Sequence, residues 1–94
     1  MLKKSSISQD ESQIIALKAL AFLVCDPGRI TRFMGITGTA PETMRSCANV
    51  PGFLAGVIEY LRGDQSLLLI FAESEGLDPD LIDAAAWCLA EAPG

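Results

Sequence analysis

The chain has 94 residues, half of them apolar, with seven basic against twelve acidic side chains and a formal charge of -5. That length is one domain with a small core, and the charge opposes binding to phosphate backbones or anionic lipid unless the cations gather in one place. Three cysteines lie far apart, with no Cys-x-x-Cys and no histidine, which excludes a disulfide scaffold and a Cys/His metal site and fits a reducing cytoplasm.

Residues 1–8 are rich in Lys and Ser and read as a flexible tail before a single helical domain over 9–94. Met1 to Lys4 is basic and Ile14 to Cys25 apolar, but Asp10, Glu11 and Lys18 interrupt them. Export is therefore not expected, and the apolar run is too short to span a bilayer. Ser8-x-x-Glu11 is a capping box ahead of Ile14, Ile15, Leu17, Leu20, Phe22, Leu23 and Val24. Those apolar positions cover most of the circumference, so the first helix is expected at the centre of the domain.

Asp26-Pro27 ends that helix and starts a second, with Ile30, Phe33 and Met34 at helical spacing and Gly38 as its stop. Thr39-x-x-Glu42 reads as another capping box, opening a short third helix with Met44, Cys47 and Ala48, and Asn49 stops it and is placed to cap the next. Pro51 begins a fourth helix whose Phe53, Leu54, Val57, Ile58 and Leu61 form one buried stripe up to Gly63. Asp64 caps a fifth, with Leu67, Leu68, Ile70 and Phe71 as its apolar part and Gly76 as its stop. Asp78-Pro79 opens a sixth, with Leu81, Ile82, Ala85, Cys88 and Leu89 facing inward.

Sliding the chain against itself by 38 residues aligns Leu23 with Leu61, Asp26 with Asp64, Phe33 with Phe71, Gly38 with Gly76, Pro41 with Pro79 and Ala48 with Ala86. Phe22 falls on Tyr60 in the same register. Two copies are too few for a solenoid. The expected architecture is an all-α, compact six-helix bundle made of two pseudo-symmetric three-helix halves, with the internal repeat over about 15–48 and 53–86.

The motifs are sparse. Thr31 to Met44 imitates a helix-turn-helix, but Pro41 falls inside its second helix and the equivalent stretch carries Glu73, Glu75, Asp78 and Asp80, so nucleic acid is not an expected partner. Asp78, Asp80 and Asp83 lack the spacing of a calcium loop and suit a helix start. With no general base for a thiol, no phosphate loop and no nucleophile elbow, neither catalysis nor a cofactor is expected. Cys25, Cys47 and Cys88 fall on or beside apolar faces and read as buried, inert thiols. Arg29, Arg32 and Arg45 form the candidate anion patch. Trp87 projects with Asp80, Asp83 and Glu91 rather than with the apolar stripe of its helix, and Trp87 and Tyr60 are the candidate contact residues.

The run Asp26-Pro27, Arg32-Phe33, Thr37-Gly38, Pro41, Arg45, then Pro51-x-Phe53-Leu54, Asp64, Leu67-Leu68, Phe71 and Gly76-Leu77-Asp78-Pro79 resembles a family of small, uncharacterised bacterial proteins known mainly from alphaproteobacteria. The likeness spans roughly residues 12–92. It implies a helical fold and a bacterial cytoplasmic setting, and it supplies no activity and no catalytic residue. The function expected from the whole is a non-enzymatic, self-associating interaction module. A carrier of a small apolar ligand or lipid, using a cavity between the halves at helices one, four and five, is the alternative.

Overall fold

The computed structural model describes residues 7–91, in which the helices are α1 (Gln9–Val24), α2 (Pro27–Thr37), α3 (Pro41–Ser46), α4 (Pro51–Arg62), α5 (Gln65–Glu75) and α6 (Pro79–Ala90). No strand occurs among the described residues. Residues 1–6 of the expected tail lie outside them. Ile7 is half-buried against the core and Ser8 is the N-cap of α1, its hydroxyl accepting from the Glu11 amide at 3.1 Å while Glu11 accepts from the Ser8 amide at 3.2 Å.

Aspartate caps three further helices. The Asp26 carboxylate accepts from the Gly28 and Arg29 amides at 2.9 and 3.2 Å, Asp64 accepts from Leu67 at 3.2 Å, and Asp78 accepts from Asp80 at 2.9 Å. Each satisfies amides that the first turn leaves without an intrahelical acceptor. At α3 and α4 the expected caps give way to backbone sterics, because a residue preceding proline is driven out of the helical region. Ala40, before Pro41, is extended at φ -88° and ψ 156°, so Ala40 rather than Thr39 is the N-cap and no side chain bonds there. The Thr39 amide donates instead to the Thr37 hydroxyl at 3.3 Å. Val50, before Pro51, likewise displaces Asn49 at the start of α4.

α2 and α5 end on Gly38 and Gly76, in the left-handed region at φ 75° and 66°. A Cβ at Gly76 would meet nothing within 4 Å, so replacing it tests the backbone alone. Gly76→Ala is expected to cost about 1 kcal/mol, read as a fall in midpoint of roughly 4–8 °C in a thermal melt followed by circular dichroism.

The core is built on α1, α4 and α6, which pack on one another. α1 contributes Ile15, Ala16, Ala19, Leu20 and Leu23, α4 contributes Leu54, Val57, Ile58 and Leu61, and α6 contributes Ile82, Ala85, Ala86 and Leu89. α1 and α6 run antiparallel, the Gln9 side-chain amide at the start of one donating to the Cys88 carbonyl near the end of the other at 2.9 Å. α2 adds Phe33, and α5 adds Leu68, Phe71 and Ala72. Leu69 and Ile70 of α5 face outward, at 46% and 47% exposure, so Ile70 does not join the apolar face expected of it. Ser12 is buried inside the apolar core, its hydroxyl donating to the Ser8 carbonyl one turn back at 2.8 Å. The result is a slab of 40 × 30 × 18 Å, the thickness of two helix layers.

The 38-residue offset carries both ends of α2 onto those of α5, with matching Asp caps and left-handed glycines. It also relates two aromatic contacts. Phe22 of α1 tilts onto Phe71 of α5 at 5.3 Å, and Tyr60 of α4 meets Phe33 of α2 edge-on at 5.0 Å. Exchanging each residue for its offset partner turns one contact into the other. The third helices depart from this relation: α6 has twelve residues and four buried ones, whereas α3 has six and none. α3 stops at Ser46, leaving Cys47 and Ala48 in the following turn, so the third and sixth helices are not packed alike.

Candidate interaction surface

The largest departure from the sequence reading is α1, which is not buried all round. Ile14, Leu17 and Val24 are 51%, 41% and 51% exposed, and Ala21 between them is exposed as well. At 100° per residue these four side chains fall within an arc of about 80°, roughly opposite the buried Ser12, Ala16, Ala19 and Leu23. The spacing of three, four and three is the seam pattern of paired helices. It stands in the sequence, merged there with the inward stripe. Asp10 and Glu11 lie at the start of this face, and Lys18 flanks it, 3.8 Å from Glu75 of α5.

Trp87 is 67% exposed on α6, on the same side as the exposed Asp80, Asp83 and Glu91, as its helical position indicates. One turn before it, Asp83 takes part in a bridge between helices: Nε of Arg62 on α4 donates to Asp83 of α6 at 2.9 Å and its Nη1 to Glu59 of α4 at 2.8 Å. Partial burial pulls the Arg62 guanidinium down, and the two carboxylates more than offset it, holding the group above its ordinary value.

Tyr60 belongs to a different patch. It is half-buried and lines an open cleft of about 520 Å³ with Arg32, Ile36, Glu59, Asp64 and Ser66, where Ile36 is 62% exposed. Trp87 is not among the residues lining this cleft. The three arginines also part company. Arg29 lies 4.5 Å above the Phe22 ring and 3.9 Å from Asp26, in an open cleft of about 390 Å³ with Lys18, Cys25 and Glu75. Arg32 faces the Tyr60 cleft, and the exposed Arg45 of α3 lines neither of these clefts.

All three thiols are free. Cys25 is exposed and Cys47 and Cys88 are half-buried, which corrects the expectation of buried thiols: Cys25 is the C-cap of α1, past its last buried residue, and Cys47 lies in the turn after α3. Among the described residues no group of three or more Cys, Asp and Glu could hold a metal ion, and no helix there is long and apolar enough to cross a membrane.

Fold and surface together define a small all-α protein whose outward features are apolar side chains and open clefts. The chain belongs to the family described as Protein of unknown function (DUF3572), whose model matches residues 9–92. No curated protein and no solved structure matches it.

Proposed function

We propose that this chain is a non-enzymatic, cytoplasmic protein-interaction module that self-associates through apolar helix faces. One observation carries the reading: α1 presents a second apolar stripe, Ile14, Leu17, Ala21 and Val24, to solvent rather than to its own core. A stripe of that length on a 94-residue chain is surface whose burial against a protein partner is favourable. The charge of -5 argues for protein rather than nucleic acid or membrane as that partner, and free, scattered cysteines suit a reducing compartment. Sedimentation velocity from about 1 μM to about 1 mM is expected to show a concentration-dependent shift from monomer to dimer. A single monomeric species throughout rejects the proposal.

Trp87 is the sole tryptophan and touches the core so little that Trp87→Ala is expected to change stability by less than about 0.5 kcal/mol, measured by urea unfolding followed by circular dichroism. Tryptophan emission in the wild-type chain then reports whether that residue is covered when the chain associates.

The ligand-carrier reading has less behind it. Leu23, Leu54, Val57, Ile58 and Leu61 fill the space near α1 and α4 at 0% exposure, and Phe71 of α5 closes it.

A further inference from the structure

Resting on the reading of self-association, we infer that two copies pair antiparallel along α1, about a two-fold axis between Leu17 and Ala21. The occupant of the stripe is a second copy because the stripe complements itself. Its three-four-three spacing is symmetric about its own midpoint, so reversing one helix sets Ile14 against Val24 and Leu17 against Ala21 in both directions at once. A parallel pair would align like with like, the acidic first turns included.

The charges along the helix are ordered. Asp10 and Glu11 stand in the first turn of α1. Arg29, anchored over Phe22, stands near its end, on the side of the stripe that also carries Glu11 and Lys18. Antiparallel pairing holds the two acidic starts about 25 Å apart along the axis, where a parallel pair would set them side by side, and Arg29, which comes level with Lys18 of the other copy, keeps its own Asp26 at 3.9 Å. Lys18 comes near the axis, where its own Glu75, 3.8 Å away, already compensates it. Two helices of 16 residues, each about 24 Å long, cover roughly 1,000 Å² between them with their flanking side chains, the low end for a specific interface. The dimer is accordingly a reversible one.

The same geometry places the two exposed Cys25 thiols about 18 Å apart along the axis, beyond disulfide reach, and brings Cys25 of each copy within one residue of the level of Ile14 of the other, on the same flank. Two variants test the arrangement in the full-length chain. Leu17→Glu sets two carboxylates together at the axis, and it is expected to weaken dimerisation by about a hundredfold in sedimentation velocity. Its helix content and melting midpoint should match the wild type, because the site is solvent-facing in the monomer. Ile14→Cys, under mild oxidation, is expected to yield a covalent dimer whose peptide map joins positions 14 and 25, whereas the wild type forms no Cys25–Cys25 bridge.

Leu17→Glu dimerising as tightly as wild type overturns the α1 interface and leaves self-association standing. A Cys25–Cys25 bridge in the wild type, or no 14–25 bridge in the variant, overturns the antiparallel arrangement. A wild-type chain monomeric at every concentration overturns both this inference and the reading beneath it.

Discussion

Phe71→Ala is expected to lower the unfolding free energy by about 3–5 kcal/mol, a fall that takes most of the margin of a small domain whose total is about 5–15 kcal/mol. Phe71 has 0% exposure and is tilted onto Phe22 at 5.3 Å. Its ring joins the outer helix α5 to the central α1, so its removal opens a cavity that neighbours on two helices cannot close without separating. The loss includes the aromatic contact itself, worth about 0.5–1.5 kcal/mol beyond the buried area. Urea unfolding monitored by circular dichroism is the measurement, with Phe71→Leu, which keeps most of the apolar volume and loses the ring, as the control. A cost for Phe71→Ala below about 1 kcal/mol would show that α5 is not anchored through this ring.

Enlarging the core is expected to harm it too. Ala16 and Ala19 on α1 and Ala85 and Ala86 on α6 are all at 0% exposure, and α1 and α6 pack directly on one another. With side chains of one carbon, helices approach toward the short end of the 8–10 Å range between axes. Ala85→Leu adds three carbons where there is no space and should cost about 1–3 kcal/mol or more. Thermal melts of Ala85→Leu against Ala90→Leu separate crowding from helix propensity, because Ala90 is exposed on the same helix. Equal midpoints for the two variants would mean that the α1–α6 contact is loosely packed.

What the sequence discloses about this fold divides by the range of the interaction. The Ser8, Asp26, Asp64 and Asp78 caps are legible because a side chain acts on amides two or three residues away. Thr39 and Asn49 mislead for an equally local reason: Pro41 and Pro51 hold the residue before them in extended backbone. The outward position of Trp87 follows from helical period alone. α1 does not resolve this way, since one helix carries two apolar stripes and a count of apolar positions cannot say which meets the core. The alanines at the centre are illegible because alanine is common on both faces of helices. The arginine grouping fails as well, since Arg29 and Arg32, three residues apart, line separate clefts, the first against α1 and the second against α4.

The standing of α3 bears on how such a chain can change. From Gly38 to Val50 the backbone makes an excursion in which no side chain is fully buried and Met44 alone packs against the rim of the core, whereas the matching stretch in the second half leads into a helix at the heart of the molecule. Lengthening a surface excursion costs only the slowly growing entropy of a longer loop. Extra residues, even a grafted domain, are therefore expected to enter here at little expense while the α1, α4 and α6 framework stays intact.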